Sequence, residues 1–480
     1  MGLGLIMHII AKIVFVLVGY GIHMYLGKTL SASIYGSIGV IMSIININYN
    51  FLSNGARQAA SHLIASDEYN KKDLLKKSYK FQMIVAFLLS IINFFGADFI
   101  AKILRQPDLV KYIRITAIII PFTALYFISV GIMNGYKLLV FEAITVTIYP
   151  LARLSLIPFI ELVFNDSIMG VIMGFLTAAI IGSIVGNAFL IKKKKKGTDK
   201  DCCISNNEYI RQMIDFLSFF LCVTIILNLD MLFVNSMVEE ANKVGYYTGA
   251  TNLSKVTYYL LSAIYLVVLP LITSAYCNKE YEKCKEFINH LLVLILGLIL
   301  PIVSIAAPLC GNLMVILYKE EYRGTALVAG ILMVSQFLLG LFVVLNVMIC
   351  SAKSKKYSVI LGMAMVAIDA LFCYVLIPRL SLEGAAIASF LTNTIGVLFS
   401  FIRLKKIFGS VWNKKLLKLL IANLAMFMIS LIIGKIWICD NFLIVVLMCF
   451  VIYSLFVLFL IMTKCLPINL LMKYLMKKKR

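Results

Sequence analysis

Four basic side chains lie within, or at the end of, apolar runs long enough to cross a membrane: Lys12, Arg57, Arg153 and Lys255. On insertion scales, a charge at the centre of a membrane helix costs roughly 2.5 to 3.5 kcal/mol, so such a side chain should face water or a partner. Ammonium and guanidinium groups bind phosphate oxygens through charge-assisted hydrogen bonds. The four residues therefore indicate a hydrated site for an anionic headgroup.

For three of these residues, depth in the membrane decides between a role in binding and a purely structural role. Lys255 lies near the middle of its run, too deep for its side chain to reach the membrane surface easily. Lys12 is closer to the cytoplasmic side and could extend to the surface. Arg57 closes its run at the inner edge, where positive residues are common. The depth of Lys255 favours a functional role, and both interpretations stay open for Lys12 and Arg57.

Arg153 lies between two prolines, Pro150 and Pro158, in the fifth apolar run. Proline removes a helical hydrogen bond, so this spacing predicts a kinked helix around the arginine. The guanidinium could bind the same anionic headgroup as the other cations. It could instead pair with Glu142 or Glu161 of the same run.

Asp230 is the acidic residue best placed to balance a basic cavity, because it follows Asn228 in the seventh apolar run. An intramembrane carboxylate can carry a coupling proton or ion, and it can equally form a structural ion pair. The four histidines are scattered, and no Cys or His spacing typical of a metal site occurs. We assign Asp230 as the candidate for ion coupling and expect neither a metal nor another cofactor.

Polar side chains recur at helical spacing in the second and eighth runs. They are Ser43, Asn46, Asn50, Ser53 and Arg57 in the second, and Asn252, Lys255, Tyr259 and Ser262 in the eighth. Residues three or four apart share one face of a helix, and a shift of 209 residues superimposes Ser43 on Asn252 and Asn46 on Lys255. The match predicts a parallel internal repeat, and transporters place substrate between such repeats. The stripes would then line a cavity, but polar residues at this spacing also join helices together.

The composition requires that membrane helices hold these residues. The 480 residues are 62% hydrophobic and 14% charged, whereas soluble domains contain about 25% charged residues. A water-soluble enzyme is almost excluded. The net charge of +22 could suggest nucleic acid, but an excess of Lys and Arg in cytoplasmic loops explains it in a membrane protein. We expect an all-α polytopic membrane protein that binds no nucleic acid.

Runs of about 20 apolar residues predict about fourteen transmembrane helices. With the N-terminus in the cytoplasm, most of the 45 Lys and Arg residues fall in inner loops, which supports this count and places the C-terminus inside as well. The predicted spans are residues 5–26, 34–56, 81–97, 115–135, 141–160, 168–190, 213–235, 246–274, 287–307, 325–350, 358–377, 383–402, 419–437 and 441–463.

A basic segment near the centre of the chain, with five consecutive lysines from Lys192, divides six spans from eight. Such a run often serves only as an anchor at an anionic membrane surface, but its central position favours a linker. We predict an N-terminal lobe of six helices, a cytoplasmic linker, a C-terminal lobe of six helices, and two further helices with a basic tail. Their bounds are 1–191, 192–212, 213–405 and 406–480.

Several short motifs occur at or near the ends of the predicted spans. They are Tyr35-Gly36, Ser53-Asn54-Gly55-Ala56-Arg57, Val244-Gly245-Tyr246-Tyr247-Thr248-Gly249-Ala250, Leu269-Pro270, Leu317-Tyr318, Glu321-Tyr322, Ile377-Pro378 and Glu383-Gly384-Ala385-Ala386-Ile387-Ala388. Together they resemble the motifs of the Wzx-like polysaccharide flippases of the multidrug/oligosaccharidyl-lipid/polysaccharide (MOP) exporter superfamily, which also contains the MATE transporters. The resemblance extends over roughly residues 5–405.

The resemblance implies two six-helix lobes around a central cavity. It further implies alternating access that moves an undecaprenyl-diphosphate-linked oligosaccharide from the inner to the outer leaflet of the bacterial cytoplasmic membrane, for capsular polysaccharide or O-antigen synthesis. Relatives bind the diphosphate with basic residues on the first, second and eighth helices, where this chain has Lys12, Arg57 and Lys255. Two of these three are lysines, which offer a point charge rather than a bidentate fork. The last two helices resemble an extension that holds the prenyl tail.

We expect Arg153 to contribute to the same diphosphate site. Polar residues of the two stripes and one neighbour would face the sugars: Asn46, Asn50, Asn252, Tyr258 and Tyr259. The partners to consider are the lipid-linked oligosaccharide, membrane lipids and other polysaccharide assembly proteins.

Three other functions stay open, of which a peptidoglycan precursor flippase is the nearest. A multidrug or cation antiporter of the same superfamily would require acidic residues in the N-terminal cavity, yet the first two predicted helices contain no Asp or Glu. A polymerase or ligase would require a large outer loop with catalytic groups, and the longest outer segments are under about 20 residues, too short for a domain. We therefore predict a transporter and not an enzyme.

Overall fold

The computed structural model describes residues 2–66, 68–192, 202–352, 354–411, 413–436 and 441–463, and all regular secondary structure in these ranges is helical. The predicted all-α fold is confirmed. The first nine helices are α1 (Gly2–Thr29), α2 (Ala32–Asn54), α3 (Ala56–Ser66), α4 (Lys71–Phe95), α5 (Ala97–Ile103), α6 (Val110–Gly135), α7 (Leu139–Phe164), α8 (Ser167–Lys192) and α9 (Asn206–Met237). The next eight are α10 (Ala241–Cys277), α11 (Tyr281–Leu294), α12 (Leu300–Ala306), α13 (Cys310–Leu317), α14 (Ala326–Ser351), α15 (Lys355–Phe408), α16 (Lys414–Ile436) and α17 (Phe442–Met462).

A helix lies at each of the predicted spans. In the described ranges, 11 helical segments are long and apolar enough to cross a membrane, which is the pattern of a multi-pass membrane protein. α15 contains two predicted spans, 358–377 and 383–402, and non-helical backbone interrupts it at Ser381, with φ 52° and ψ −126°. The count of fourteen crossings stays a prediction.

The second predicted span is not one continuous helix. α2 ends at Asn54, Gly55 adopts φ −89° and ψ −111°, and α3 begins at Ala56. The Gly55 N–H still donates to the Phe51 carbonyl at 3.2 Å, so it completes the last turn of α2. The predicted polar stripe is therefore corrected at its inner end: Arg57 lies in the first turn of α3 and not on α2.

The first compact unit comprises residues 1–245. α6 is central to it and packs against α2, α3, α4, α7 and α8, while α1 packs against α7. Glycines allow close approach between these helices: a Cβ added to Gly182 of α8 would lie 2.9 Å from the Tyr126 ring of α6. Lipid tails are as apolar as the side chains, so close packing at small residues is a main source of association between membrane helices.

The C-terminal end of the predicted linker is fixed to the first unit. Lys77 of α4 donates to the carbonyl of Ile204, whose side chain is buried. The Tyr69 hydroxyl donates to Glu208 at 2.7 Å, and this hydrogen bond to a carboxylate raises the pKa of Tyr69 to about 12. Residues 193–201, which hold most of the lysine run, lie outside the described residues.

The second compact unit comprises residues 246–480. α14 and α15 pack together along their length, and buried polar side chains join them. Asn346 donates to the Ser400 hydroxyl at 2.8 Å, and Asn393 donates to the Ser335 hydroxyl at 2.9 Å. Interhelical hydrogen bonds of this kind stabilise helix pairs in membranes.

Between α11 and α12 the chain makes a π-helical turn at Ile295–Ile299. A π-turn disturbs the regular ladder of helical hydrogen bonds. Asn423 of α16 donates to the Leu296 carbonyl at 2.8 Å, and Tyr453 of α17 donates to the Leu298 carbonyl at 3.1 Å. The two C-terminal helices are therefore hydrogen-bonded to the backbone of this turn.

The two units do not coincide with the predicted lobes. The first unit ends at Gly245 and so contains α9, which the sequence assigned to the C-terminal lobe. The predicted bounds, with a linker at 192–212, divide the chain by repeat and composition rather than by contacts. They stay a prediction.

Candidate functional site

Arg57 is half-buried, and its guanidinium lies over an aromatic ring of α6. The Cζ atom is 5.9 Å from the centroid of Phe127. No described carboxylate forms an ion pair with Arg57. A ring face attracts a guanidinium without neutralising its charge, so the charge of Arg57 is available to an anion.

Arg153 has a similar environment on α7. Its Cζ lies 4.5 Å from the centroid of Phe175 on α8, and its buried Nε has no hydrogen-bond partner among the described atoms. Pairing with Glu142 is not observed, since the carboxylate of Glu142 accepts hydrogen bonds from Asn134. The side chain of Glu161 lies outside the described residues. Arg153 is thus a second arginine whose guanidinium lies over an aromatic ring, that of Phe175.

Five rings from four helices connect the two arginines. Tyr49 contacts both phenylalanines, with centroid distances of 5.7 Å to Phe127 and 6.4 Å to Phe175. The hydroxyls of Tyr49 and Tyr149 are hydrogen-bonded to each other, and Tyr126 stacks on Tyr149 at 4.7 Å. We call this set the aromatic cluster: Tyr49, Tyr126, Phe127, Tyr149 and Phe175.

The aromatic cluster gives the guanidiniums a defined chemical role. Arginine is weakly hydrated, stacks on aromatic rings and presents a planar fork of N–H donors that matches phosphate oxygens. A cation–π contact attracts the guanidinium to the ring without occupying its N–H donors with an acceptor oxygen. The first unit can therefore offer two fork-shaped donor sets to a phosphate-bearing ligand.

A partly buried chain of hydrogen-bonded polar side chains beside Arg57 was missed by sequence reasoning. Ser61, one turn further along α3, donates to Asn134 Oδ1 at 3.0 Å. Asn134 Nδ2 lies 3.0 and 3.1 Å from the two carboxylate oxygens of Glu142, which is fully buried in the first turn of α7. A helix N-terminus favours a carboxylate. The chain connects α3, α6 and α7 next to the basic site.

The predicted sugar-facing residues of α2 have different surroundings. Asn46 is exposed, whereas Asn50 is half-buried, donates to the Asn46 carbonyl at 2.9 Å and accepts from Asn54 at 3.1 Å. On another face of α2, Asn48 and Asn93 of α4 exchange hydrogen bonds of 3.3 and 3.2 Å. That second pair is structural and was also missed, because an asparagine in an apolar run gives no sign of its partner.

Two predicted residues of the first unit are less defined. Lys12 belongs to α1, and its side chain lies outside the part of the chain that the structure describes. Asp230 of α9 is 1% exposed, and its Oδ1 accepts the Met231 N–H at 2.8 Å. Ion coupling at Asp230 stays a prediction.

α10 of the second unit presents its polar stripe away from its packed side. Ser254 and Thr257 each donate to a backbone carbonyl of α14 at 3.0 Å, which fixes the buried face. With 3.6 residues per turn, Asn252, Lys255 and Tyr259 lie on the opposite face of the helix. The hydrogen bonds to α14 therefore determine where Lys255 is presented.

The predicted residues of α10 differ in their exposure. Asn252 and Lys255 are half-buried, Tyr258 is buried, and Tyr259 is 41% exposed. The two tyrosine rings meet edge to face at 5.6 Å. The second unit thus places a lysine, an amide and two phenols on about two turns of one helix. Across the described ranges, no three His, Cys, Asp or Glu side chains are grouped to hold a metal ion.

An all-helical, multi-pass membrane chain with cations inside its spans has the features of a membrane transporter. The comparisons define the class more closely. The chain belongs to the polysaccharide biosynthesis protein family, whose sequence profile matches residues 2–276. No curated protein matches the chain.

Solved structures show the same fold at low sequence identity. The lipid II flippase MurJ, in an inward closed conformation, aligns with a TM-score of 0.73 and 18% identity over 95% of this chain and 98% of MurJ. An inward-facing multidrug resistance MATE transporter aligns with a TM-score of 0.65 and 15% identity over 82% and 94% of the two chains. A MOP superfamily transporter from Pyrococcus furiosus, with a binding pocket of reverse polarity, aligns with a TM-score of 0.59 and 14% identity over 83% and 96%. The chain has the fold of the MOP superfamily.

Proposed function

We propose that the protein flips an undecaprenyl-diphosphate-linked oligosaccharide from the inner to the outer leaflet of the bacterial cytoplasmic membrane by alternating access. One observation carries this proposal: in a membrane helix bundle, Arg57 and Arg153 lie on the aromatic cluster and no described carboxylate pairs with either. Membership of the polysaccharide biosynthesis family supports a saccharide cargo. The structural relative MurJ is a flippase of a lipid-linked molecule.

The chemistry of such a cargo explains why cations are needed inside the membrane. A diphosphate and many sugar hydroxyls must cross about 30 Å of hydrocarbon. Each polar group that loses its hydrogen bonds there costs several kcal/mol, and an isolated charge costs far more. Arginine and lysine side chains in a hydrated path replace part of the lost hydration. The prenyl tail can stay in lipid throughout, beside the C-terminal helices α16 and α17.

The residues divide by chemistry. Arg57, Arg153, Lys12 and Lys255 bind the diphosphate through charge-assisted hydrogen bonds. Polar and aromatic side chains face the sugars, and Asp230 is the candidate for ion coupling. The sugar-facing residues are Asn46, Asn50, Asn252, Tyr258 and Tyr259. In this proposal both termini are cytoplasmic, and other polysaccharide assembly proteins receive the product.

The proposal is tested with the full-length protein in liposomes that contain a fluorescent undecaprenyl-diphosphate-linked oligosaccharide. Arg57→Ala and Arg153→Ala should each slow flipping roughly tenfold to a hundredfold. This factor corresponds to the free energy of one lost hydrogen bond to a charged group. Arg114→Ala is the matched control, because Arg114 is exposed and paired with Asp98. Flipping that is unaffected by the first two variants, or lost equally in the control, would contradict the proposal.

The same liposomes separate the alternatives. With lipid II in place of the oligosaccharide-linked lipid, faster flipping would assign the protein as a peptidoglycan precursor flippase. Uptake of a cationic dye coupled to an ion gradient, without lipid flipping, would assign a multidrug antiporter. We expect the undecaprenyl-diphosphate-linked oligosaccharide to be the fastest of the three substrates.

A further inference from the structure

Arg57 is in contact with a glycine of α6 along its backbone and the first part of its side chain. A Cβ added to Gly131 would lie 2.6 Å from the Arg57 carbonyl oxygen and 2.7 Å from its Cγ. Real Cβ atoms do not approach other atoms so closely, because interiors are packed at van der Waals contact. Only glycine therefore lets the stem of Arg57 lie flat on α6.

The other end of the same side chain also meets α6. Phe127 precedes Gly131 by four residues, so both lie on one face of the helix. The guanidinium carbon of Arg57 is 5.9 Å from the centroid of the Phe127 ring. One helix face thus contacts Arg57 twice, at the stem through Gly131 and at the charged end through Phe127.

The backbone of Arg57 is fixed from a second direction. The Tyr209 hydroxyl of α9 donates to the carbonyl of Ala56, the residue before Arg57, at 3.1 Å. Ala56 itself is buried. The hydrogen bond from α9 holds the backbone next to Arg57, and the first turn of α3 lies against Gly131, so α6 limits the directions that the Arg57 side chain can take.

We infer that Gly131 and Phe127 are positioning residues for Arg57, which set the direction of its guanidinium towards the diphosphate. This inference rests on the proposed function. It goes further by assigning specificity for the diphosphate to two residues that carry no charge. A larger residue at 131 would displace the stem, and a non-aromatic residue at 127 would release the charged end.

The chain offers a matched control one turn along the same helix pair. A Cβ added to Gly135 would lie 2.8 Å from Ile64 Cβ and 2.9 Å from the Ser61 carbonyl oxygen. Gly131→Ala and Gly135→Ala therefore impose similar clashes between α3 and α6. Only the first clash is at Arg57.

The experiment measures binding of undecaprenyl diphosphate, and of undecaprenol as a phosphate-free control, to the full-length protein in lipid nanodiscs. Gly131→Ala should raise the Kd for the diphosphate about tenfold, the effect of a charge-assisted hydrogen bond, and leave the Kd for undecaprenol within about twofold. Gly135→Ala should lower the melting temperature by as much as Gly131→Ala does. It should leave the Kd for undecaprenyl diphosphate and the Kd for undecaprenol within about twofold of the parent.

A second series does not depend on the glycine variant being folded. Phe127→Leu should raise the Kd for the diphosphate about twofold to fivefold, since a cation–π contact of this kind is worth that factor, and Phe127→Trp should restore it. In the Arg57→Ala background, neither Gly131→Ala nor Phe127→Leu should raise the Kd further, because residues that act through one group are not additive.

The outcomes separate the two proposals. If Arg57→Ala leaves the Kd for undecaprenyl diphosphate unchanged, the proposed function is wrong at this residue. A second outcome is that Arg57→Ala raises that Kd, whereas Gly131→Ala has no more effect on it than Gly135→Ala. If Phe127→Leu also leaves it unchanged, the positioning inference is overturned and the proposed function stands.

Discussion

The two units of the molecule hold their basic residues in different ways. In the first unit, Arg57 and Arg153 lie on the rings of Phe127 and Phe175. In the second, Lys255 lies on a polar stripe of α10, on the face opposite the hydrogen bonds to α14. The two guanidiniums each lie over an aromatic ring, whereas the ammonium belongs to a stripe of polar residues on one helix face.

This difference follows from the chemistry of the two side chains. A guanidinium is planar and weakly hydrated, so a ring can hold it in one orientation. An ammonium is a compact, strongly hydrated charge with rotatable donors, so it needs polar neighbours more than a fixed direction. We therefore expect the direction of the charge to matter in the first unit. In the second unit we expect the presence of a charge to matter more than its direction.

The largest expected effect concerns the lysine. Lys255→Ala should abolish surface polysaccharide while the protein level stays unchanged, because the second unit loses the cation of its polar stripe. Lys255→Arg should retain most of the export, since a charge at that depth is kept. Surface polysaccharide is measured by immunoblot of cells that carry each variant. Normal export in Lys255→Ala would contradict the proposed role of this lysine in substrate binding.

Lysine in place of arginine should be poorly tolerated in the first unit, which is the opposite of the result expected at Lys255. We expect Arg57→Lys and Arg153→Lys each to lower the flipping rate roughly tenfold, since an ammonium cannot supply a bidentate fork. The liposome assay measures the rate. Equal tolerance of the Arg–Lys exchange in both units would contradict the expected difference between the two arginines and Lys255.

The hydroxyl pair of the aromatic cluster should contribute stability rather than binding. Tyr149→Phe removes the hydrogen bond to Tyr49 and keeps the ring, so we expect a loss of about 1 kcal/mol, or about 2 to 4 °C in melting temperature. Flipping should stay within about twofold. Tyr374→Phe, at a 64% exposed position of α15, should change neither quantity. A large loss of flipping in Tyr149→Phe would assign the hydroxyl to the ligand.

The smallest expected effect concerns Asp166, a charged residue of the first unit with hydrogen-bond partners, and the pH dependence of stability. Burial of Asp166, between α7 and α8, disfavours its ionised form, but hydrogen bonds from Tyr112, the Met169 N–H and Lys111 outweigh this and lower the pKa of Asp166 below its ordinary value of 3.8. A lowered native pKa stabilises the fold above the unfolded pKa, and this stability is lost as the pH falls through the native pKa.

Melting temperatures at several pH values test this sign. Asp166→Asn should melt below the parent at neutral pH, and the gap should close as the pH falls below about 3.8. Asp98→Asn, at the exposed pair with Arg114, should show a smaller gap because exposed pairs contribute little. A gap for Asp166→Asn that stays constant at all pH values would contradict the assignment.

The fold could be predicted well because the membrane imposes it. A span requires about 20 apolar residues, so hydropathy alone places a helix at each predicted span. The shorter helices α3, α5 and α13 leave no such run and were missed. The break at Gly55 does have a signal, since Asn-Gly marks turns, but the alanines after it favour helix and conceal the start of a new helix at Ala56.

The site was predictable only in part, for a physical reason. Arg57 and Arg153 were selected as candidates because a charge in a membrane is costly and therefore informative, and their role in binding stays a prediction. Their partners Phe127 and Phe175 were not, because phenylalanine is ordinary in an apolar helix and its pairing depends on how the helices pack. The hydrogen bonds of Asn134 with Glu142 were missed for the same reason, although both residues were visible near the ends of predicted spans.

The π-helical turn at Ile295–Ile299 depends on the two last helices, α16 and α17, for hydrogen bonds. Its Leu296 and Leu298 carbonyls are bonded by Asn423 and Tyr453 of the last two helices. Without those helices the two carbonyls would lose these donors, and a peptide group left unsatisfied within a membrane costs several kcal/mol. A shortened variant that lacks α16 and α17 would therefore need other donors for these carbonyls, or a regular α-helix in place of the π-helical turn.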